Sequence, residues 1–139
     1  MKTLASRDVN VGDELPPLDI PITTTLIIGG AIASRDYQDV HHDRDLARRR
    51  GAKDIFMNIL TTNGLVGRFI TDWAGSEAML KAVKIRLGAP NYPGDTMRLT
   101  GAVTQKSGHD LTVELQGTNA LGEHVKGTVT LTLPAGGDR

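Results

Sequence analysis

Apolar and polar side chains alternate along four separate runs in the second half of the chain. The runs cover residues 82–87, 97–103, 111–116 and 125–133. A period of two places one face of a strand on a core and the other in water, as in an antiparallel sheet. The breaks at residues 90–95, 107–108 and 119–122 are rich in turn-forming residues, and Pro93-Gly94 fits the centre of a type II turn. We therefore predict four consecutive strands that form a meander.

The first half of the chain carries signals for shorter elements. Residues 15–22 hold three prolines, which fits an edge strand or an extended lead-in. The threonines at residues 23–25 can cap a helix that runs to Ala33. Asp43 is a suitable N-cap for a second helix, which ends at Gly51.

Residues 58–73 are mostly apolar, and Arg68 and Asp72 are their only charged members. A surface helix carries a far more polar face, so we predict a helix that is largely enclosed by protein. An enclosed helix followed by four strands with one polar face indicates a curved antiparallel sheet wrapped around that helix, which is the hot-dog arrangement. The predicted class is α+β, with a single domain over residues 1–139. A lone hot-dog unit exposes a long sheet edge and one side of the helix, so we expect dimerisation.

Composition narrows the functional classes. The 139 residues suffice for one domain, and residues 135–139 are expected to fray. The absence of cysteine excludes disulfides, thiolate metal sites and a cysteine nucleophile. Lys plus Arg and Asp plus Glu both number 16, so no net field favours nucleic acid or an anionic membrane. With no apolar run of about 20 residues and no signal-peptide stretch at the N-terminus, a cytoplasmic protein is expected.

Carboxylates and imidazoles are concentrated in residues 34–43, between two predicted helices. Asp36 and His41 are five residues apart, so a loop that doubles back can aim both side chains at one point. A carboxylate and an imidazole that converge on one water form a general acid–base pair. On spacing alone the structural alternative is the stronger one, with Asp36 capping a backbone group and His41 a satisfied loop histidine.

Metal binding is a second interpretation of this loop. His41, His42 and Asp43 are adjacent, however, and adjacent side chains diverge on a regular backbone. No i, i+4 pair places two ligands on one helix face. His109 and His124 lie at strand–turn positions and are predicted to face solvent. No metal site is therefore predicted.

Asn63 and Gly64 lie near the start of the predicted central helix. A glycine lets a ligand approach the backbone there, and free N–H groups at a helix N-terminus stabilise a developing oxyanion. The alternative is a glycine that lets the helix pack closely against the sheet.

A basic cluster follows the candidate loop. It consists of Arg44, Arg48, Arg49, Arg50 and Lys53. These side chains could meet the phosphates of a coenzyme A. A solvated helix end is the favoured interpretation, because charge runs usually face water.

Together these segments resemble the MaoC-like (R)-specific enoyl-CoA hydratase family. That family carries a loop of the form Ser-Gly-Asp-x-Asn-Pro-x-His-x-Asp, and residues 34–43 match its aspartates and histidine. The glycine, asparagine and proline of the loop are replaced by Arg35, Gln38 and Asp39. A later family pattern is matched by Arg86, Pro90, Gly94, Asp95 and Thr96, and the usual opening by residues 11–16.

The resemblance implies a role for each candidate residue. Asp36 and His41 correspond to the catalytic aspartate and histidine of the family. The glycine whose N–H serves the oxyanion hole corresponds to Gly64. Asn63, which lies beside it near the helix start, stays a candidate for oxyanion or substrate binding. The implied reaction is the addition of water to a 2-enoyl-CoA thioester, without a cofactor beyond the coenzyme A of the substrate.

The residues that depart from the family loop match a narrower group of proteins within the family. Residues 35–43, 53–60 and 71–75 resemble the small subunit of actinobacterial steroid side-chain hydratases. In that group the small chain carries the catalytic pair and joins a larger MaoC-like chain that lacks it, in a heterotetramer acting on a steroid enoyl-CoA. The resemblance thus implies a hydratase subunit of cholesterol degradation, with a homodimer as the alternative assembly.

Three other functions stay open. They are a general MaoC-like hydratase of fatty enoyl-CoA, a hot-dog acyl-CoA thioesterase, and a non-enzymatic subunit that completes a partner's site. Thioesterases of this fold usually place their acid on the long helix, where this chain offers only Arg68 and Asp72. Retention of both Asp36 and His41 argues against an inactive subunit.

Overall fold

Three helices and five strands make up the chain, which the computed structural model describes over residues 2–136. Two short 3-10 turns, Ser6–Asp8 and Asp39–His41, lie outside these elements. The end of the tail predicted to fray, residues 137–139, lies outside the described residues. In chain order the elements are β1 (Leu18–Pro21), α1 (Thr24–Ala33), α2 (Arg44–Arg49), α3 (Ile59–Ala74), β2 (Met79–Leu87), β3 (Thr96–Ser107), β4 (Asp110–Asn119) and β5 (Gly122–Thr132).

Each of the three helices begins at a polar N-cap residue. Thr23, Asp43 and Asn58 cap α1, α2 and α3, and each side-chain oxygen accepts a hydrogen bond of 3.0 Å from the backbone N–H three residues later. Such a cap satisfies one of the backbone donors that a helix start leaves unpaired, and its loss costs about 1 kcal/mol. The predicted helices are therefore confirmed, as are the predicted caps at Thr23 and Asp43. Among residues 2–136, no helix is both long and apolar enough to cross a membrane.

The strands form one antiparallel sheet in the order β1-β3-β4-β5-β2. The predicted meander is confirmed for β3, β4 and β5, but it is wrong for β2, which pairs with β5 rather than with β3. Residues 88–95 carry the chain across the ends of β5 and β4. Gly88 at the start of this crossing donates to the carbonyl of His124 (2.7 Å), and Gly94 near its end donates to that of Ile22 (2.8 Å). Period-two alternation identifies strands but contains no information on their neighbours.

The predicted α3 lies in the concave face of the sheet. Its inward side buries Thr62, Val66, Phe69, Ile70 and Ala74. Phe69 lies over Gly101 of β3, where a Cβ atom would come within 3.2 Å of the phenylalanine ring, so the glycine permits this close packing. The outward side of α3 begins with Ile59 and Leu60, each 50% exposed. The hot-dog architecture is confirmed, with the helix enclosed on one side by this chain.

The predicted solvent exposure of His124 is wrong, whereas His109 is exposed as expected. The register between β4 and β5 shifts at Gly117/Thr118, and this irregularity leaves His124 and Val125 both buried. The ring Nδ1 lies 2.6 Å from the carbonyl oxygen of Ala89, so Nδ1 carries the proton and donates. Nε2 then accepts from the hydroxyl of Thr62 (2.8 Å), which ties β5 to the start of α3.

Burial lowers the pKa of His124, which makes the stability of the fold dependent on pH. The unfolded chain takes up a proton at a higher pH than the folded chain does. We therefore expect the free energy of unfolding to fall below about pH 6.5, with a limiting slope of about 1.4 kcal/mol per pH unit for this one proton. Urea unfolding across this pH range would measure the slope. His124→Gln, which does not titrate, should flatten it, and an unchanged slope in that variant would contradict the assignment.

Candidate active site

The loop after α1 begins with a well-known helix C-cap motif. The N–H of Asp36 donates to the carbonyl of Ala31 and that of Arg35 to the carbonyl of Ile32, which are the two hydrogen bonds of a Schellman motif. Arg35 occupies the left-handed position of this motif, with φ of 55°. Glycine is the usual residue at that position, which explains why the related loop motif has glycine there. The reversal of the chain at Arg35 turns Asp36 back toward the start of α3.

Arg35 should reduce the stability of the fold. A residue with a Cβ atom in the left-handed region costs about 1–2 kcal/mol, and no contact of the exposed Arg35 side chain within residues 2–136 is observed to offset that cost. Arg35→Gly is thus expected to raise the free energy of unfolding by up to about 1 kcal/mol. The increase is smaller than the full strain energy because glycine also has more conformational freedom in the unfolded chain. Equilibrium denaturation of both proteins would measure this, and a lower stability of the variant would contradict it.

Hydrogen bonds hold both oxygens of the Asp36 carboxylate. Oδ1 accepts from the N–H of Gln38 (3.3 Å) and Oδ2 accepts from the side-chain amide of Asn58 (3.0 Å). The bond from Asn58 is the main cause of a pKa of Asp36 below its ordinary value, which burial opposes and the Gln38 N–H and nearby His41 reinforce. Asp36 is therefore a carboxylate at neutral pH and acts only as an acceptor.

His41 lies in the 3-10 turn that follows and is held just as firmly. Its Nδ1 lies 2.6 Å from the carbonyl oxygen of Phe56, so Nδ1 carries the proton and donates. The Phe56 ring contacts the imidazole edge-on, with the ring centroids 5.0 Å apart, and the N–H of Phe56 donates to Val40. In its neutral form the ring then presents a lone pair at Nε2, and this atom faces Asp36.

Asp36 and His41 converge, as the sequence predicts. Nε2 of His41 lies 3.4 Å from Oδ2 of Asp36, and the two side chains are 8% and 21% exposed. With Nδ1 protonated, both facing atoms are acceptors, and 3.4 Å is long for a direct hydrogen bond. Two converging acceptors suit one donor with two hydrogens, such as a water molecule. The pair can hold a water and remove its proton, which is general acid–base chemistry.

Comparison with known proteins identifies the family of the chain. A family model described as "MaoC like domain" matches residues 9–125 of the chain. The chain belongs to the MaoC-like domain family. This confirms the family resemblance of the sequence.

Individual relatives support the same family. The chain is 50% identical over 123 residues to the 3-oxo-4,17-pregnadiene-20-carboxyl-CoA hydratase beta subunit of Mycobacterium tuberculosis, covering 88% of this chain and 95% of that protein. A solved structure of the ChsH1-ChsH2 complex from Mycobacterium tuberculosis matches with a TM-score of 0.88 and 49% identity, covering 89% of this chain and 98% of that one. R-hydratase PhaJ1 from Pseudomonas aeruginosa shares the fold, with a TM-score of 0.89 at 18% identity over 96% of this chain and 88% of that one.

The predicted oxyanion residues of this MaoC-like domain are not at the start of its central helix. Because α3 begins at Ile59, Asn63 and Gly64 occupy its fifth and sixth positions, where an α-helical N–H donates to the carbonyl four residues earlier. The side chain of Asn58 accepts from Thr61 and its carbonyl from Thr62, which leaves the N–H groups of Ile59 and Leu60 without an acceptor in the helix. The structure therefore moves the prediction of an oxyanion donor from Gly64 to this first turn.

The basic cluster beside the site is partly paired with carboxylates of the MaoC-like domain itself. Nε of Arg44 lies 2.8 Å from Asp54, and Arg50 holds Asp39 in the candidate loop through two nitrogens, each at 2.8 Å. Both arginine side chains are at least half exposed, which agrees with the solvated helix end that the sequence favours. Within residues 2–136, no group of three metal-ligating side chains lies close enough to hold an ion.

Asn58 is the site residue of the MaoC-like domain that the sequence interpretation missed. The residue is 2% exposed, and its side chain connects the start of α3 to the candidate loop. The sequence did contain a signal for the cap at Asn58, because asparagine is among the strongest N-cap residues. Treating Asn58 as a cap places the helix start, and its free N–H groups, directly after it.

Proposed function

We propose that the chain is the catalytic subunit of an enoyl-CoA hydratase that acts on a steroid side-chain enoyl-CoA. The observation that carries the proposal is the convergence of His41 Nε2 and Asp36 Oδ2 in a MaoC-like domain. The substrate class comes from the relative named 3-oxo-4,17-pregnadiene-20-carboxyl-CoA hydratase beta subunit, since 50% identity extends over most of both chains. We propose an α,β-unsaturated thioester of a steroid side chain as the substrate.

The proposed reaction begins with a water held between the two side chains. Asp36 and His41 accept its two hydrogens, so that its oxygen lone pair points at Cβ of the enoyl thioester. One proton passes to the pair as the oxygen attacks, and negative charge moves through Cα to the thioester oxygen. The N–H groups of Ile59 and Leu60 stabilise this enolate as it forms. The proton then returns to Cα, which completes the addition of water.

A larger partner subunit is part of the proposal. The nine-residue strand β2 forms one edge of the sheet, and no described residue of this chain pairs with its outer side. Four large apolar side chains beside the catalytic segments are also at least half exposed: Ile32, Tyr37, Ile59 and Leu60. Open strand edges and apolar patches are normally covered. The matching ChsH1-ChsH2 structure is a complex, which supports a MaoC-like partner and a heterotetramer rather than a homodimer.

We propose no cofactor beyond the coenzyme A of the substrate. The supporting argument is that Asp36 and His41 provide the proton transfer, and the first turn of α3 provides the charge stabilisation. Dialysis against a metal chelator should leave turnover unchanged. We also propose a cytoplasmic location, because coenzyme A thioesters are intracellular metabolites. Cell fractionation with an antibody against the chain would test it, and recovery outside the cytoplasmic fraction would contradict it.

The experiment that tests the proposed function follows the loss of enoyl-thioester absorbance. The chain would be assayed alone and with its larger MaoC-like partner, using a steroid enoyl-CoA and a short fatty enoyl-CoA side by side. Faster loss with the steroid substrate is expected. A preference for the fatty substrate would favour the general hydratase. Release of free thiol from the acyl-CoA would instead identify a thioesterase.

A further inference from the structure

Asn58 has a second role beyond capping α3, and this role rests on the proposed function of Asp36. We propose that Asn58 is a positioning residue that locks the Asp36 carboxylate toward His41 and fixes it relative to the first turn of α3. The residue touches no reacting atom in the proposed reaction, so it acts through Asp36. Three segments meet at its side chain, namely the end of α1, the candidate loop and the start of α3.

The contacts of Asn58 determine which way its amide points. The N–H of Thr61 can only donate, so the atom 3.0 Å away is the Asn58 oxygen, which also accepts from the Thr61 hydroxyl (2.6 Å). The Asp36 carboxylate can only accept, so the atom 3.0 Å from it is the Asn58 nitrogen. A reversed amide would place a donor against a donor and an acceptor against an acceptor. Only one orientation is therefore compatible with both neighbours.

The hydrogen-bonding capacity of this amide is fully used. Its second N–H donates to the hydroxyl oxygen of Ser34 (3.0 Å), and Ser34 in turn donates to the carbonyl of Gly30 (2.7 Å). The side chain is also almost completely buried. Rotation of Asn58 would leave several buried polar groups unpaired, and each such group costs about 1–3 kcal/mol. Asn58 is thus a rigid support for Asp36.

This support matters because of where Asp36 must point. Oδ2 is both the oxygen that Asn58 holds and the oxygen that faces Nε2 of His41. Without the Asn58 donor, the carboxylate keeps only the longer bond from the Gln38 N–H to Oδ1, which does not fix the direction of Oδ2. The same donor favours the ionised carboxylate and lowers the pKa of Asp36. Its removal should disturb both the geometry and the charge of the catalytic pair.

Asn58→Ser is the variant that separates the two roles of this residue. Serine is as good an N-cap as asparagine, so the cap on α3 is kept, but the short hydroxyl no longer reaches Asp36 as the amide does. We expect kcat to fall by about tenfold to a hundredfold with KM nearly unchanged, the range that a misplacement of about 1 Å produces. The second variant, Asn58→Asp, keeps the size and the cap but places a carboxylate against Asp36. It should lower kcat further, because two like charges then share the site.

The decisive readout is the titration of the Asp36 carboxyl by ¹³C NMR, in assembled protein with labelled aspartate and with Asp36→Asn for assignment. We expect the pKa of Asp36 to rise in Asn58→Ser and to rise more in Asn58→Asp. Thr23→Ala is the control, because it removes the N-cap of α1 without touching Asp36 and should leave that pKa unchanged. An unchanged pKa of Asp36 in both Asn58 variants, or an unchanged kcat despite a raised pKa, would overturn the proposal. The titration needs no turnover, so a failure of the proposed function is distinguishable as absence of hydration by the wild-type protein.

Discussion

Replacing Asp36 by asparagine is expected to lower kcat for hydration by about 10²–10⁴-fold, the usual contribution of a general acid–base group. The amide is nearly the same size as the carboxylate, and its oxygen can still accept from Asn58, so the fold should be preserved. What is lost is the negative charge that holds the water and assists removal of its proton. Steady-state kinetics with the assembled protein and an enoyl-CoA substrate would measure the effect.

The matched control for this variant is Asp45→Asn. Asp45 is an exposed carboxylate in the first turn of α2, close to the site in sequence, and it makes no ion pair or hydrogen bond within residues 2–136. Its replacement should leave kcat within about twofold, as usual for surface changes. Near-wild-type turnover of Asp36→Asn would refute a catalytic role for this chain. A fully active complex of Asp36→Asn with the partner subunit would indicate that the catalytic site lies in the partner subunit.

His41→Gln should produce a loss as large as that of Asp36→Asn. Glutamine can still donate to the carbonyl of Phe56, but it has no basic nitrogen to face Asp36. Because the two side chains act on one water, their effects should not add. The double variant is expected to be little worse than the poorer single variant, as happens when residues act as a unit. Kinetics of the two single variants and the double variant would measure this coupling.

The neighbouring His42→Gln is the control for the histidine. His42 is exposed and lies directly after His41 in the chain, so the same chemical change is made one residue away. Its kcat should remain close to that of the wild type. Equal losses in both histidine variants would show that the imidazole of His41 is not specifically required. Fully additive losses in the double variant of Asp36 and His41 would contradict the shared water.

Local patterns predicted most of the secondary structure and the convergence of Asp36 with His41. The alternation in β3, β4 and β5 and the capping residues Thr23 and Asp43 depend on residues close in sequence, so the sequence could show them. The same holds for Asp36 and His41, which one loop brings together. The position of β2 beside β5 depends on a crossing over the end of the sheet, and no periodicity in the sequence reports it.

The sequence interpretation missed Asn58 and misplaced His124, because contacts between distant segments position both residues. Asn58 acquires its role from contacts with Ser34, Asp36 and Thr61, and only the last of these is local. Gly64 was predicted as the oxyanion donor from its residue type and from the family resemblance. Because α3 begins at Ile59, the N–H of Gly64 is at the sixth helical position, where it donates within the helix. His124 was predicted to be exposed from its position near a turn. This prediction is wrong because the register shift between β4 and β5 changes which side chains face inward. Tertiary structure thus overrides the local signal at His124, whereas the position of Gly64 follows from the local N-cap at Asn58.

The most direct single test of the proposed function is the mass of the product. The chain, assembled with its larger MaoC-like partner, would be given the 3-oxo-4,17-pregnadiene-20-carboxyl-CoA thioester in ¹⁸O-labelled water and analysed by mass spectrometry. The expected product is an intact coenzyme A thioester that has gained one labelled water in the wild-type reaction and not in Asp36→Asn. Recovery of unchanged substrate, or of free coenzyme A with a labelled carboxylic acid, would contradict the assignment of this chain as a hydratase subunit.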